Sequence, residues 1–148
     1  MKFTLLNATM LHLIVMKDFL RNKGISITPL RLDVLSVFFK YKNAISLSVL
    51  TEQLTDSNRI TLYRTLKLFK EKGIIHEIVM NGEESKYAIC QSCDNHVHEH
   101  KHIHFKCNIC KVVYCLEIEN YPEIKAKGFK FNSVEIQSTG ICINCSTE

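Results

Sequence analysis

The segment that decides the fold spans residues 58–90 and has the sequence NRITLYRTLKLFKEKGIIHEIVMNGEESKYAIC. Its first part, residues 58–72, has the composition of a helix and is followed by a glycine suited to ending one. Residues 74–80 and 85–90 predict two strands. The dipeptide Asn81-Gly82 between them is a strong two-residue hairpin signal. The segment therefore predicts a helix followed by a β-hairpin.

Upstream of this segment the sequence predicts three shorter helices. The first covers residues 18–23 and ends before a glycine, and residues 1–15 form either an extension or an extra packed helix. Thr28-Pro29 begins the second, since threonine caps helices well and proline fits the first turn. Ser46 caps a third, which runs to residue 54. For the fourth helix, we expect Asp56 or Ser57 as the N-cap.

Short helices followed by a two-stranded hairpin indicate a winged helix-turn-helix, whose last helix enters the major groove of DNA. Apolar residues recur every three positions on that helix, which predicts its buried stripe: Ile60, Tyr63, Leu66 and Phe69. Basic residues occupy much of the rest: Arg59, Arg64, Lys67, Lys70 and Lys72. A basic helix face can also be an ordinary solvated surface, but the topology agrees with nucleic-acid binding.

Charge is distributed unevenly along the 148-residue chain. Residues 1–90 contain 13 lysines and arginines against 8 acidic residues, a net +5, whereas residues 91–148 contain 6 against 7, a net −1. A basic N-terminal half indicates a polyanionic partner. Two halves of this size each have a thin core, which metal binding or dimerisation would supplement. No apolar stretch is long enough to span a membrane.

All seven cysteines lie between residues 90 and 145. They form three C-x-x-C pairs and a single residue: Cys90/Cys93, Cys107/Cys110, Cys142/Cys145 and Cys115. Histidines alternate between the first two pairs: His96, His98, His100, His102 and His104. Thiolate and imidazole are the ligands that zinc prefers, and two C-x-x-C pairs can close a four-sulfur site. Spacing alone leaves open which two of the three pairs do so.

Three other interpretations compete with a zinc-dependent nucleic-acid-binding protein. A disulfide framework needs an oxidising compartment and an even cysteine count, but the N-terminus is a poor signal peptide, so we expect a cytoplasmic metalloprotein. A thiol-disulfide enzyme using Cys90 and Cys93 is disfavoured, because Asp94-Asn95 and histidines follow instead of a helix. No nucleophile with an oriented base is visible, so no catalytic residue is predicted. A zinc-buffering or metal-delivery module remains an alternative.

Five motifs resemble the ferric uptake regulator (Fur) superfamily, in the family's order, over residues 17–146. They are Thr28-Pro29-Leu30-Arg31 followed by Val34-Leu35, Arg59-Ile60-Thr61-Leu62-Tyr63-Arg64-Thr65-Leu66, Gly73-Ile74-Ile75, His102-Ile103-His104-Phe105-Lys106-Cys107-Asn108-Ile109-Cys110 and Gly140-Ile141-Cys142-Ile143-Asn144-Cys145. The resemblance implies a homodimeric, metal-responsive repressor that binds double-stranded operator DNA and has no small-molecule substrate. The implied fold is α+β, with a winged helix-turn-helix over 1–90, a linker and metal-ligand loop over 91–100, and a small α/β dimerisation domain over 101–148.

The resemblance also implies roles for single residues. Tyr63 and Arg64 face bases, with Arg64 suited to guanine and Tyr63 to a thymine methyl group. Arg59 and Thr61 lie nearer phosphates. On the same basic helix, we expect Lys67 or Lys70 to contact phosphate only. The alternative for Tyr63 is a core aromatic. The resemblance implies that four cysteines bind one structural zinc per monomer: Cys107, Cys110, Cys142 and Cys145.

A second, regulatory site departs from the iron-type pattern. Ile103 replaces an aspartate between the last two histidines, Cys115 lies near the position of a glutamate, and the histidine expected near Ala44 is missing. Loss of oxygen donors and gain of sulfur favour zinc. We therefore expect a zinc uptake regulator, with iron(II) sensing as the alternative. The candidate ligands are Cys90, Cys93, His98, His100, His102, His104 and Cys115.

Geometry suggests how such a site would act. Cys90 ends the predicted wing, whereas the alternating histidines lead into the C-terminal half. His102 and His104 alternate with apolar residues, as in a strand with one solvated and one packed face, and even-numbered side chains of a strand share a face. A metal between Cys90, His98, His100 and His104 would fix the spacing of the reader domains. Alternatively, His96, His98 and His100 belong to a solvated loop.

Overall fold

The structure is a computed structural model that describes residues 2–80, 82–89, 102–132 and 134–146, with side chains from residue 10 onward. Four helices and three strands form the N-terminal half: α1 (Lys2–Asn22), α2 (Pro29–Lys40), β1 (Ile45–Ser46), α3 (Leu47–Gln53), α4 (Arg59–Glu71), β2 (Ile75–Ile78) and β3 (Lys86–Ile89). Three strands follow: β4 (His102–Cys107), β5 (Val113–Glu117) and β6 (Ile136–Gly140). The α+β class and the winged-helix arrangement are confirmed.

Helix boundaries agree with the capping residues in most places. Thr28 Oγ1 accepts a hydrogen bond from the Arg31 amide at 3.3 Å, and Ser46 Oγ accepts one from the Val49 amide at 3.4 Å. The cap predicted for α4 was wrong: Asn58 caps it, with its Oδ1 accepting hydrogen bonds from two amides of the first turn. Asn58 lies two and three residues before the donor amides of Ile60 and Thr61, the spacing that an N-cap side chain spans, so the helix begins later than predicted.

Helix α1 is longer than the sequence indicates. Residues 2–22 form one continuous helix, so the helical alternative for the first residues is nearer the structure than the extension, although these residues belong to α1 and do not form a separate helix. Its C-terminal part is anchored in the core through the buried side chains of Met16 and Leu20, whereas the side chains of residues 10–15 are exposed. The helix ends before Gly24, whose φ of 67° is the left-handed conformation expected after a helix.

The apolar stripe predicted for α4 was partly wrong. Its buried residues are Leu62, Thr65, Leu66 and Phe69, whereas Ile60 and Tyr63 are 64% and 57% exposed. A helix has about 3.6 residues per turn, so a three-residue repeat drifts around the axis and cannot stay on one face. The buried set follows the helical spacing i, i+3, i+4, i+7.

The N-terminal core is one cluster of aliphatic and aromatic side chains from α1 to β2. Its fully buried members include Leu20, Val34, Leu35, Leu50, Leu62, Phe69 and Ile74. Strand β3 lies in the middle of a three-stranded sheet, with β1 on one side and β2 on the other, both antiparallel. Strand β1 was not predicted, because two residues carry no periodicity and their pairing depends on β3. Across the described ranges, no helix combines the length and apolarity needed to cross a bilayer.

The C-terminal half forms a second three-stranded sheet in the order β5-β4-β6. Strand β5 is antiparallel to β4, and β6 is parallel to it. Between β5 and β6, residues 118–132 are turns and irregular chain. The parallel pairing brings Gly140 opposite Cys107, so the last C-x-x-C pair returns to an earlier one, as the family resemblance implies.

The two halves meet where the hairpin β2–β3 packs on β5. The Ala44 amide donates to the Val113 carbonyl at 2.9 Å. Around this bridge lies a buried apolar cluster with members from both halves: Ala44, Ile78, Met80, Ala88 and Val113. The boundary predicted at residues 91–100 lies outside the described residues.

Candidate metal centres and nucleic-acid interface

Four cysteine sulfurs converge at one end of the C-terminal sheet. The Sγ atoms of Cys107, Cys110, Cys142 and Cys145 all lie within 4.8 Å of one another. Cys110 and Cys142 are 3.7 Å apart, and a tetrahedral zinc with bonds of about 2.3 Å would hold its sulfurs about 3.8 Å apart. Four thiols in this arrangement fit a zinc ion.

Backbone turns hold these sulfurs in position. Cys107 ends β4, and Lys111 adopts a φ of 62° just after Cys110, which turns the chain back so that the Lys111 amide donates to the Cys107 carbonyl at 3.1 Å. The Cys142 amide donates to the Cys107 sulfur at 3.4 Å, which joins the two pairs directly. The Cys145 amide donates to the Cys142 carbonyl at 3.0 Å and closes the second turn.

The thiols differ in their readiness to ionise. Burial acts to raise the pKa of Cys107, but hydrogen bonds from the backbone amides of Cys142, Cys110 and Ile109 outweigh it and lower that pKa to about 6. The pKa of Cys145 is raised to about 12, first by its hydrogen bond with the Cys142 thiol and then by burial. Four thiolates this close repel one another, so a divalent ion is the natural partner of the fully ionised set.

A second cluster of metal-ligand type lies between the two halves. His76, His102, His104 and Cys115 each offer one ligand atom, and these atoms all lie within 4.8 Å of one another. The Nε2 atoms of His102 and His104 are 3.2 Å apart, and His76 Nε2 is 3.2 Å from Cys115 Sγ. A tetrahedral zinc spaces its nitrogen and sulfur ligands about 3.3 to 3.6 Å apart, so these four atoms fit one ion.

Three strands bring this second cluster together. His102 and His104 alternate along β4 and share a face, as predicted. Cys115 pairs directly with His104 across the antiparallel ladder, so their side chains are neighbours. His76 reaches the cluster from β2 of the N-terminal half. The cluster therefore connects the wing hairpin to the C-terminal sheet.

Burial sets the protonation of this cluster. His102 and His104 are 7% and 5% exposed, so the histidines occupy the packed face of β4, and the solvated face predicted for them was wrong. Because β2 covers that face, the pKa of His102 is lowered, first by burial and then by the nearby His104. Burial raises the pKa of Cys115 to about 12. At neutral pH His102 is thus a neutral imidazole, ready to bind a metal, whereas the Cys115 thiol must lose a proton first.

The predicted regulatory ligands divide into two groups. The structure brings together His102, His104 and Cys115, and the sequence analysis missed His76. The only sequence signal for His76 was its position between Ile75 and Glu77 in a predicted strand of the hairpin. The remaining predicted ligands lie outside the described residues: Cys90, Cys93, His98 and His100.

The predicted DNA-contacting residues lie on the exposed surface of α4. All five are exposed: Arg59, Thr61, Tyr63, Arg64 and Lys67. Tyr63 is 57% exposed, which contradicts its alternative interpretation as a core aromatic. Lys70, also expected near phosphate, instead pairs with Glu77 of β2 at 2.5 Å, and this hydrogen bond lowers the pKa of Glu77. The basic surface is therefore centred on the N-terminal two turns of the helix.

Residues 22–140 match the model of the ferric uptake regulator family. The chain belongs to this family. A ferric uptake regulation protein of Staphylococcus aureus is 32% identical over 130 residues, which cover 85% of this chain and 92% of the relative. Members of the Fur family are metal-dependent transcription regulators that bind DNA and act as dimers; they are not enzymes.

Solved structures share the fold at lower identity. A zinc uptake regulator in complex with zinc and DNA is 23% identical, with a TM-score of 0.61, over 90% of this chain and 92% of that one. The ferric uptake regulator of Vibrio cholerae is 20% identical, with a TM-score of 0.60, over 85% and 98% of the two chains. These likenesses support the fold of this Fur family member and leave its metal open.

Proposed function

We propose that this chain is a zinc-responsive, homodimeric repressor of the Fur family. In this proposal, Cys107, Cys110, Cys142 and Cys145 hold one structural zinc per monomer. His76, His102, His104 and Cys115 hold a second, exchangeable zinc that controls operator binding. The observation that carries the proposal is the donor set of the second cluster: three imidazoles and a thiol, all within 4.8 Å, with no carboxylate among them.

Donor chemistry favours zinc over the alternatives. Imidazole and thiolate suit zinc, whereas carboxylate and water suit manganese and magnesium. Iron(II) is the second candidate, because the S. aureus relative is named a ferric uptake regulation protein. Iron sites of this kind are richer in oxygen, and the cluster between the halves offers none.

The position of the second cluster explains how metal could control DNA binding. His76 lies on β2, which follows the reader helix α4 after a short turn, whereas His102, His104 and Cys115 lie on the C-terminal sheet. An ion shared by these residues would favour one arrangement of the reader helix relative to the dimerisation half. Binding of the ion then stabilises the arrangement that binds the operator, so metal affinity and operator affinity are linked.

On the DNA side, we propose that Arg64 and Tyr63 contact bases while Arg59, Thr61 and Lys67 contact phosphates. Exposure supports this assignment, since all five lie on one accessible stretch of α4. Arg64 offers two donors to guanine, and the Tyr63 ring can cover a thymine methyl group.

The test is operator binding under buffered free metal. A duplex is selected from a random pool in the presence of zinc, and its affinity is measured by fluorescence anisotropy with zinc, with iron(II) under anaerobic conditions, and with chelator. We expect tight binding with zinc, and loss of it in His76→Ala. His12→Ala removes an exposed histidine of α1 and serves as the matched control.

Four results would contradict this function. Equal affinity with zinc and with chelator would make DNA binding independent of metal, and failure to select any duplex would favour the metal-buffering alternative. A response to iron(II) at lower free-metal levels than zinc would favour iron sensing. A normal zinc response in His76→Ala would remove the second cluster from the switch.

A further inference from the structure

Two polar contacts besides the metal clusters join the wing to the C-terminal sheet, through residues that neighbour proposed ligands: Lys106 precedes Cys107, and Gln137 pairs with His104. Lys106 of β4 donates from its ammonium group to Glu83 in the turn of the wing. Gln137 of β6 donates from Nε2 to the carbonyl oxygen of Val79, just after β2, at 2.8 Å. Together we call these two contacts the wing latch.

The latch connects the same two bodies as the second metal cluster. Both link the β2–β3 hairpin to the C-terminal sheet, and both are formed in the same conformation. The latch is also partly shielded from water, because the Lys106 side chain is 17% exposed, although that of Glu83 is 43% exposed. The hydrogen bond from Lys106 lowers the pKa of Glu83, so this carboxylate is charged at neutral pH.

The acidic turn of the wing suits docking on protein better than docking on DNA. Glu83 and Glu84 are adjacent, and two carboxylates would be repelled by a phosphate backbone. Each has a partner within the chain instead: Glu83 pairs with Lys106, and Glu84 accepts a hydrogen bond from the Ser48 hydroxyl at 3.3 Å. The wing turn therefore lies between α3 and the C-terminal sheet.

We propose that Lys106 and Gln137 are positioning residues that hold the wing in the arrangement in which the second metal cluster is closed. This inference rests on the proposed function of that cluster. Because the latch and the closed cluster exist in one conformation, each stabilises the other. Loss of the latch therefore lowers the affinity of the second site for zinc, while the four-cysteine site is unaffected.

The test is a double-mutant cycle on second-site zinc affinity, measured by competition with a chromophoric chelator in protein that already carries one zinc per chain. We expect Lys106→Gln and Glu83→Gln each to lower the zinc affinity of the second site about two- to fivefold, as for a partly exposed ion pair. The double variant should bind second-site zinc no more weakly than the single variant with the lower zinc affinity, since the interaction can be lost only once. Gln137→Ala should also lower the zinc affinity of the second site.

Lys125→Gln is the matched control, because Lys125 forms an ion pair with Glu123 in which both side chains are more than three-quarters exposed. It should leave zinc affinity unchanged. Hydrogen exchange of residues 75–89 in chain without second-site metal gives an independent readout, and it should be faster in Lys106→Gln than in Lys125→Gln.

Two outcomes would overturn the latch: effects of the two glutamine variants that multiply in the double variant, or unchanged zinc affinity and unchanged exchange in Lys106→Gln. Binding of only one zinc by the parent chain would instead contradict the proposed function. The exchange measurement would still decide whether the latch forms.

Discussion

The Cys115 thiol makes zinc affinity at the second cluster dependent on pH in a way that can be calculated. Its pKa is raised to about 12 by burial, so the thiol is protonated throughout the neutral range. A metal binds the thiolate, so each zinc must displace one proton from Cys115. Affinity should therefore rise about tenfold for each pH unit above neutrality.

The His102 imidazole does not contribute in this range. The pKa of His102 is lowered from its ordinary value of 6.5, so it carries no proton to displace above pH 7. Between pH 7 and 8, the proton displaced from Cys115 thus contributes a slope of about one to log affinity against pH. Below about pH 6.5 the slope should steepen, as histidines also begin to bind protons.

The assay is a chelator competition at several pH values between 6 and 8.5, with the chelator's own affinity corrected for pH and the four-cysteine site filled beforehand. In Cys115→Ser, we expect the slope between pH 7 and 8 to fall toward zero. Replacing a residue that only orients a metal ligand costs about 10- to 100-fold in metal affinity. Because Cys115 would itself be a ligand, Cys115→Ser should lower the zinc affinity at pH 7 by at least that factor.

A slope near one that persists in Cys115→Ser would refute the assignment of Cys115 as the sulfur ligand. Cys90→Ser is the informative companion variant, because Cys90 was predicted as a ligand and lies outside the described residues. If Cys90→Ser flattens the slope and Cys115→Ser does not, Cys90 supplies the thiolate.

Further perturbations test the rest of the molecule. Cys110→Ser should lose the structural zinc and with it the folded C-terminal half, since such sites contribute on the order of 10 kcal/mol; zinc content and size-exclusion chromatography check this, and a stable dimer with full zinc would contradict it. Arg64→Ala should cost about 1–3 kcal/mol on the selected operator and relax one base preference, whereas Lys67→Ala should weaken all duplexes equally and reduce the salt slope; equal losses on specific and random DNA in Arg64→Ala would exclude base contact. Asn58→Ala should lower the free energy of unfolding by about 1 kcal/mol in urea denaturation, because the first turn of α4 loses its cap. Chain that keeps the structural zinc but lacks second-site metal should lose stability as pH falls below about 6.5, since the pKa of His102 is lowered on folding and the unfolded chain binds the extra proton; urea midpoints at pH 7.5 and 5.5 measure the loss, and His102→Gln should reduce it.

Local sequence signals were sufficient for the elements whose cause is local. Thr28 and Ser46 begin helices because their hydroxyls satisfy amides three residues away. The hairpin forms around Gly82, as predicted, but β2 ends at Ile78 and β3 begins at Lys86, so the connection is longer than the two residues expected. The C-x-x-C spacing likewise places two sulfurs on one turn, and the family motif identifies which pairs combine.

Features that depend on distant partners could not be predicted in this way. Strand β1 exists only because β3 pairs with it, and the burial of His102 and His104 depends on β2 covering that face. His76 joins the second cluster through the packing of the wing on β5, which no spacing in the sequence records. The exposure of Ile60 and Tyr63 shows the same limit, since apolar character alone does not tell a core residue from a surface prepared for DNA.

The parallel pairing of β4 with β6 has a consequence for the order in which the chain folds. Its partners lie far apart in sequence, from Ile103 paired with Ile136 to Cys107 paired with Gly140, so a long loop must close before any contact is gained. The helices of the N-terminal half close only short loops and should form first. During that interval the cysteines are accessible, and zinc available at that moment can bind before they oxidise. The supply of zinc during synthesis would thus determine how much regulator matures, separately from the supply that the finished protein senses.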